Sequence, residues 1–433
     1  MKTFLFFCLI FPSLISAQSF QWQQLPNSPF RSERHEDLMF INSNTGWIII
    51  GYGNVFRTTD GGITIDTLVD YLDLNLRSVG FLDANTGIIG TLHAPPNRLY
   101  RTTNGGYNWT LVTNIPPPVP TGICGITQIP PNTFYCVGRY QGPASVIKST
   151  DKGETWLNMN IDTSLTSKLV DTYFFDELHG FAVGSKGGDP INSYGKAVIL
   201  YTSNGGVNWE QRFLGSIENT LCWKIDFRTP LFGYVSVESF LVHPPAYIVT
   251  TDGGITWTYN STPSSTAIVI QGIGFLNQNT GWIGGWGNPG PMYQTTNSGL
   301  NWTSLGMGNH MNRFQFVNDS TAFACGQYIY KFTLTTDIHQ ISDLIPKQFE
   351  LEQNYPNPFN PVTKIKFSIH ERSNVSLKIY NVSGKEIVTL TDKSYQPGEY
   401  ETTFTGNDYP SGVYYAKLIS GDHTETIKMV LMK

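Results

Sequence analysis

Short apolar stretches separated by polar turns make up most of the chain, and one arrangement of them recurs. An apolar strand is followed by a polar turn and then by an aromatic residue and Gly, as in FINSNTGWIIIG (40–51) and FLNQNTGWIGG (275–285). Such alternation predicts antiparallel hairpins, and no long stretch has the period of a helix. Further copies lie at 81–90, 173–184 and 227–236, with weaker copies at 127–138 and 316–326. The pattern predicts an all-β fold.

A second motif follows most of these hairpins. Its form is Ser/Thr-x-Asp/Asn-x-Gly-x-x-Trp, as in TTNGGYNW (102–109) and TTDGGITW (250–257). A repeat of about 40 to 50 residues is typical of β-propellers, in which each copy builds one blade. The acidic or amide positions are Asp60, Asn104, Asp151, Asn204, Asp252 and Asn297, at intervals of 44, 47, 53, 48 and 45 residues.

The two motifs differ in number, and the difference indicates how the ring closes. Seven strand motifs precede six turn motifs. An unmatched apolar segment, FQWQQLP (20–26), lies before the first repeat, and YIYKFT (328–333) follows the last. Propellers hide their sheet edges by letting a terminal strand complete the final blade. We therefore expect a seven-bladed propeller over residues 18–335.

The turn motifs are expected to be structural. A short polar side chain accepts backbone N–H bonds there, Gly supplies a positive φ, and the trailing Trp packs between sheets. Because the motifs lie one per blade around the rim, their six polar residues cannot converge on one metal ion or substrate. No metal and no cofactor are expected.

These turn motifs are Asp boxes, and the blades resemble those of sialidases, xyloglucan-cleaving hydrolases, sortilin-type receptors and the photosystem II stability and assembly factor family. The formula TGW…G…TTDGG…W is most similar to the last family, over about residues 20–333. Enzymes and binding proteins share such blades, so the resemblance implies a fold more than a partner. A sialidase would have six blades and an entry signature of Phe-Arg-Ile-Pro. Here Ser32 and Glu33 follow Phe30 and Arg31.

Ligand sites of propellers lie where the innermost strands converge. Aligning these strands on the repeat Phe places seven residues on a common ring, and alternation directs them toward the channel. The charged members suggest a site for a polar peptide or glycan, or a network that neutralises itself. A carboxylate pair, Asp37 and Asp171, would serve glycoside hydrolysis only at a suitable separation. The ring is Asp37, Ser78, Cys124, Asp171, Lys224, Gly272 and Arg313, with Glu36, Arg77 and Trp223 adjacent and His35 beside them.

Aromatic residues outside the repeats are the candidates for ligand contact. Trp286 lies in the Gly-rich segment 284–291, and Tyr140 lies in a second loop. Trp47 and Trp282 belong to the strand motif, and we expect them in the core. The Trp residues of the boxes are Trp109, Trp156, Trp209, Trp257 and Trp302.

The repeat stops after Thr333, and a different domain follows. A polar linker is expected at 336–348, and residues 349–433 contain six alternating segments that predict a small immunoglobulin-like β-sandwich. NYPNPFNP (354–361), PSGVYYAKL (410–418) and the basic end resemble the type A sorting domain of the type IX secretion system. An ordinary adhesion module is the alternative. The residues that match the sorting motifs are Asn354, Tyr355, Pro356, Asn357, Pro358, Gly412, Tyr414 and Lys433.

The N-terminus and composition indicate a secreted protein. MKTFLFFCLIFPSLISA (1–17) has a Lys, an apolar run and small residues, which predicts a signal peptide cleaved after Ala17. A lipoprotein signal ending at Cys8 is the alternative. Four cysteines remain after cleavage, and Cys124 and Cys136 form a disulfide across neighbouring strands or are buried thiols in separate blades.

The net charge and the hydropathy of the chain limit the classes of partner that it can bind. The net charge of -5 excludes a broad basic surface for nucleic acid, and no later run of roughly 20 apolar residues spans a bilayer. We expect a monomer on the outer surface or in the medium, handled by the type IX machinery and binding a glycan or protein without catalysis. A secreted glycoside hydrolase is the alternative. The resemblance to the photosystem II factors also suggests assembly of a membrane complex, but export places the chain on the wrong side of the envelope.

Overall fold

The computed structural model describes residues 19–432 except 33, 70–73, 93–97, 141, 189–194, 240–243, 263–268, 288–289, 336–337, 343 and 407–408. The regular secondary structure of these residues consists of β-strands alone. Two compact units are present, one formed by Trp22–Phe332 and one that contains the chain from Thr333 onward. The predicted signal peptide, with Cys8, and the terminal Lys433 lie outside the described residues.

Seven four-stranded antiparallel sheets form the first unit. Their innermost strands are β2 (His35–Phe40), β6 (Leu76–Phe81), β10 (Gly125–Ile129), β14 (Lys168–Phe174), β18 (Thr220–Phe227), β22 (Val269–Phe275) and β26 (Arg313–Phe316). The second strands are β3 (Gly46–Ile50), β7 (Gly87–Thr91), β11 (Thr133–Gly138), β15 (Gly180–Lys186), β19 (Gly233–Ser239), β23 (Gly281–Trp286) and β27 (Thr321–Cys325). The third strands are β4 (Asn54–Thr58), β8 (Leu99–Thr102), β12 (Ser145–Ser149), β16 (Lys196–Thr202), β20 (Ala246–Thr250), β24 (Tyr293–Thr295) and β28 (Ile329–Thr335). The outermost strands are β5 (Asp66–Val69), β9 (Thr110–Leu111), β13 (Leu157–Met159), β17 (Glu210–Leu214), β21 (Thr258–Ser261), β25 (Thr303–Ser304) and β1 (Ser19–Gln24).

The sheets form a closed ring. Each innermost strand contacts the innermost strand of the next sheet, and β26 of the last sheet contacts β2 of the first. The N-terminal strand β1 pairs with β28 and completes the seventh sheet. Closure of this kind leaves no open edge between the first and last repeats. The predicted seven-bladed propeller, completed by its N-terminal strand, is confirmed.

The strand motif has a packing explanation. The Phe that ends an innermost strand pairs with the Gly that begins the second strand, as in Phe40 with Gly46 and Phe81 with Gly87. Its ring covers that Gly so closely that a Cβ atom would overlap it, and the same holds for Gly180, Gly233 and Gly281. The ring also stacks on the preceding blade: the ring centroid of Phe81 lies 3.6 Å from that of Trp47. Gly is therefore required to let an aromatic ring pack flat between blades.

The six box turns close the hairpins between third and outermost strands. In the turn of Asp60, the backbone N–H of Thr64 donates to Oδ1 at 2.9 Å and its hydroxyl donates to Oδ2 at 2.7 Å. In the turn of Asn104, the N–H of Asn108 donates to the single amide oxygen at 3.0 Å. Asp turns thus carry Thr four residues later and Asn turns carry Asn, which matches the number of acceptor oxygens. The remaining pairs are Asp151 with Thr155, Asn204 with Asn208, Asp252 with Thr256 and Asn297 with Asn301.

The second unit is a sandwich of two four-stranded sheets around one apolar core. One sheet has the order β29-β34-β31-β30 and the other β33-β32-β35-β36. The strands are β29 (His339–Ser342), β30 (Glu350–Leu351), β31 (Val362–Ile369), β32 (Ser373–Asn381), β33 (Glu386–Tyr395), β34 (Gly398–Thr405), β35 (Gly412–Ser420) and β36 (His423–Leu431). This is the predicted immunoglobulin-like domain.

Part of the expected linker belongs to the sandwich. His339–Ser342, within the segment 336–348, form β29, which pairs with β34. The expectation of a linker throughout this segment was wrong, because short polar strands at a sheet edge lack the alternation that identifies central strands.

The cysteines are buried thiols. Cys124, Cys136, Cys222 and Cys325 are all free. Cys124 precedes β10 and Cys136 lies on β11 of the same sheet, where they join two different apolar clusters. The structure therefore gives the buried-thiol alternative, although these two cysteines share a blade.

Candidate functional site

An ion-pair network crosses the central channel. Arg313 of the seventh sheet donates from Nε to Asp37 Oδ1 at 2.8 Å and from Nη1 to Asp171 Oδ2 at 3.0 Å. Both carboxylates also accept a backbone N–H from the following sheet, that of Val79 or of Ile225, each at 3.2 Å. The two aspartate side chains are 2% and 1% exposed. The network thus links five blades across the channel.

Lys224, the fourth charged residue of the predicted ring, lies beside this network. Burial and the charge of Arg313 lower the pKa of its ammonium, while Asp171 and Asp37 raise it. The four predicted residues are therefore brought together, and they neutralise one another. The same guanidinium holds both carboxylates, so neither is presented as an open acid or base.

Arg77, the fifth predicted residue, belongs to a separate cluster where the innermost strands begin. Its guanidinium donates to the carboxylate of Glu36, and Arg34 reaches the same carboxylate at 3.3 Å. Burial alone would raise the pKa of Glu36, but Arg34 and Arg77 hold it below its usual value. Arg34 also donates to Gln271 of the sixth sheet, whose amide donates to Glu238 at 2.8 Å.

Aromatic rings surround these arginines. The guanidinium carbon of Arg77 lies 4.8 Å from the ring centroid of Trp223 and 6.0 Å from that of Tyr140. Arg34 lies 5.1 Å from the ring of Trp286, which is 36% exposed. We call Arg34, Glu36, Arg77, Tyr140, Trp223 and Trp286 the mouth cluster.

The mouth cluster contains residues that the alignment of strands placed only next to the ring. Five of the seven innermost strands have a β-bulge here, for example between His35 and Asp37 and between Cys222 and Ile225. A bulge breaks strict alternation, so both Glu36 and Asp37 take part in channel clusters. His35 is turned away and contacts the carbonyl of Gly326 through Nδ1 at 2.8 Å.

Sequence reasoning did not select Arg34, Gln271, Glu238 or Asn312. Arg34 stands two residues before Glu36 in RSERHEDL, and this spacing was the available signal. Asn312 accepts the indole N–H of Trp223 at 2.8 Å and donates to the carbonyl of Glu36. No sequence pattern predicts these two contacts, because the partners of Asn312 lie 89 and 276 residues away.

A cavity of about 320 Å³ opens on the other side of the ion-pair network, where the innermost strands end. The box turns bond to the hairpin turns at this end, as in Gly61 N–H to the Asn44 carbonyl. We call it the box-end cavity. The residues that precede the repeat Phe line it, among them Tyr173 and Asp226. Among the described residues no group of His, Cys, Asp and Glu has the arrangement of a metal site.

The sandwich places the sorting-motif residues along the edge of its last strand. Asn357 accepts the N–H of Val430 at 2.9 Å and donates to the carbonyl of Lys428 at 3.0 Å. Phe359 pairs with Leu431 and is 1% exposed. The segment 354–361 thus covers the free edge of β36.

The other sorting-motif residues have diverse surroundings. The amide of buried Asn354 donates to the hydroxyl of Thr363 at 2.8 Å, while Tyr355 is 80% exposed. Tyr414 is buried and donates to the carbonyl of Pro410 at 2.7 Å, and Gly412 begins β35. Pro356 accepts from the Thr363 hydroxyl at 2.8 Å, and Pro358 lies in the covering segment.

The C-terminal sandwich matches a known family model. Residues 353–432 match the secretion system C-terminal sorting domain. A domain of this kind marks a protein that is secreted or displayed on the cell surface. No helix among the described residues has the length and apolar character needed to span a bilayer.

The propeller is similar in fold to several solved structures. YCF48 bound to a D1 peptide has a TM-score of 0.53 at 17% identity, covering 73% of this chain and 97% of that chain. YCF48 from Cyanidioschyzon merolae has a TM-score of 0.54 at 18% identity, covering 72% of this chain and 98% of that one. The GH74 xyloglucanase from Xanthomonas campestris has a TM-score of 0.53 at 11% identity, covering 81% and 60%. Among curated proteins, none matches the chain in sequence. These likenesses define the class as a β-propeller with a secretion sorting domain.

Proposed function

We propose that this protein is an exported, non-catalytic binding propeller that holds a protein or glycan ligand at the mouth cluster. The observation that carries the proposal is the arrangement of Arg34 and Arg77 around Glu36, with each guanidinium stacked on an indole ring. Trp, Tyr and Arg contribute most of the binding energy in many interfaces. Here they are held in place by packing, so little side-chain entropy is lost on binding.

The partly exposed ring of Trp286 offers the contact surface. An indole face stacks on a sugar ring or on an apolar peptide side chain, and the buried polar groups behind it fix its orientation. Of the two ligand classes, peptides have additional support, because a protein of similar fold is described as bound to a peptide.

A glycoside hydrolase needs a carboxylic acid and a carboxylate on the two sides of the scissile glycosidic bond, with room for the sugar between them. The pair named from the sequence, Asp37 and Asp171, is bonded to Arg313 and shielded from solvent. This arrangement favours binding over glycoside hydrolysis.

The test is an array of glycans and peptides probed with the mature protein, together with an assay for released reducing sugar on each glycan hit. We expect saturable binding without sugar release. Release of sugar from any hit would overturn the non-catalytic assignment. A glycan hit alone or a peptide hit alone would fix the ligand class.

A further inference from the structure

The box-end cavity is a second place where the channel can hold a small molecule. Its volume of about 320 Å³ is within the range of cavities that hold small organic molecules. The ion-pair network of Arg313 separates it from the mouth cluster. A ligand here would be independent of the one proposed above.

Two carboxylates line this cavity, Asp37 and Asp226, and among the described residues only Asp37 forms an ion pair. Asp226 Oδ2 accepts the hydroxyl of Tyr234 at 3.0 Å and its Oδ1 accepts the N–H of Phe227 at 2.9 Å. The nearby cations are already bound: Arg313 pairs with Asp37 and Asp171, and Arg228 pairs with Asp319. A buried carboxylate with only neutral donors is stabilised by a cation that arrives from outside.

Two neighbouring blades supply groups suited to such a cation. Tyr173, one blade before Asp226, lines the cavity with an aromatic ring, and ring faces attract ammonium groups. Gln128, one blade further, uses its amide nitrogen on the sulfur of Met39 at 3.3 Å. Among the described contacts its carbonyl oxygen accepts no hydrogen bond, so it remains available as an acceptor.

We propose that the box-end cavity binds a primary ammonium group, with Asp226 as its counter-ion and with Tyr173 and Gln128 as further contacts. A carboxylate, an aromatic face and an amide oxygen on adjacent blades match the charge and the three donors of an alkylammonium ion. The ligand class is therefore a small primary amine.

The ionisation of Asp226 makes this binding pH-dependent. The groups that face it are Tyr234, Tyr173, Arg228 and Arg313, and burial raises its pKa to about 6. The carboxylate is charged at pH 8, whereas at pH 5 roughly one molecule in ten carries the charge. Since the ammonium stays protonated throughout, affinity falls about tenfold between these two pH values.

The experiment is a calorimetric titration of the mature protein with n-butylammonium chloride in phosphate buffer, with 1-butanol as the uncharged probe. We expect saturable binding of the amine at pH 8, about tenfold weaker binding at pH 5, and none of the alcohol. Asp226→Asn keeps one acceptor oxygen for the N–H of Phe227, and its amide nitrogen can donate to the hydroxyl oxygen of Tyr234. This variant removes the negative charge and is expected to weaken binding at least tenfold.

Asp83→Asn is the matched control. Asp83 accepts the N–H groups of Asn85 and Thr86 in a turn outside the cavity, and Asn42 has the same role in another blade. The Asp83→Asn variant should bind n-butylammonium with the affinity of the wild type. Absence of saturable binding, equal affinity in Asp226→Asn, or equal affinity at pH 8 and pH 5 would each overturn the proposal. The pH comparison uses the wild type, so it holds even if Asp226→Asn does not fold.

Discussion

Arg313 and Asp171 form an ion pair across the propeller channel, with 3.0 Å between Nη1 and Oδ2. They lie 142 residues apart, on the seventh and fourth sheets. Asp37 of the first sheet completes the arrangement through Nε. One side chain thus connects the first, fourth and seventh blades. Of these, only the first and seventh are neighbours, at the point where the ring closes.

Removal of this guanidinium should destabilise the propeller strongly. Arg313→Met leaves Asp37 and Asp171 buried without their cation, and a broken buried pair typically costs about 3–5 kcal/mol. Urea unfolding measures the free energy. The control is Lys196→Met, which removes an exposed pair with Glu218 and should cost about 1 kcal/mol or less. A cost for Arg313→Met as small as that of the control would contradict the structural role.

The repeat glycines should not tolerate a methyl group. In Gly87→Ala the new Cβ overlaps the ring of Phe81, and overpacking of this kind costs about 1–3 kcal/mol. Gly215→Ala is the control, because its Cβ would make only ordinary contacts at 3.5 Å or more. Thermal unfolding of the two variants should therefore differ clearly. Equal melting temperatures would show that the ring moves aside without cost.

Acid should weaken the box turns that contain Asp. The hydroxyl and N–H of Thr256 and the hydroxyl of Thr250 lower the pKa of Asp252 to about 2. A lowered pKa stabilises the fold above the unfolded value of about 4, and this contribution is lost as pH falls from about 4 toward 2. Melting curves between pH 5 and pH 2 should show a smaller loss in Asp252→Asn than in the wild type. Parallel curves would count against the assignment.

The thiols should be unreactive in the folded protein. Burial raises the pKa of Cys124, Cys136, Cys222 and Cys325, which suppresses the reactive thiolate. The mature protein should react with a thiol reagent only after denaturation, and then at all four positions. Only two reactive thiols after denaturation without reductant would indicate a disulfide.

The segment 354–361 of the sandwich contains one buried and one exposed aromatic residue, so two variants can distinguish a role in folding from a role in recognition by the export machinery. Phe359→Ala removes a buried ring from the edge of β36 and should cost about 3–5 kcal/mol. Tyr355→Ala changes an exposed side chain and should leave stability unchanged. Export of both variants is then measured in cells. Loss of export in Tyr355→Ala would identify this tyrosine as a recognition residue, and loss in Phe359→Ala alone would assign the segment to folding.

Local repeats made the fold predictable. Phe81, Gly87 and the box of Asn104 each act within one hairpin or between adjacent blades, so the same residues recur wherever the same contact recurs. The strand β29 has no such pattern and was missed.

The candidate site was predictable only in part. Alignment on the repeat Phe brought Asp37, Asp171, Lys224 and Arg313 to one level of the channel. The alignment could not show that Arg313 binds both carboxylates, because residues that meet across the ring are far apart in the sequence and follow no local spacing. The bulges before Asp37 and Ile225 also changed which neighbours share a face. The mouth cluster depends on those bulges.

The affinity of an array ligand for three forms of the protein tests the central claim most directly. Trp286→Ala removes the exposed ring of the mouth cluster, which is 36% exposed. Tyr107→Ala is the control, because it removes a more exposed aromatic ring, 59% exposed, from a box turn. We predict that Trp286→Ala weakens binding at least tenfold, as expected for loss of an aromatic anchor, while Tyr107→Ala binds like the wild type. Equal affinity of Trp286→Ala and wild type, or a loss only in Tyr107→Ala, would contradict a ligand site at the mouth of the channel.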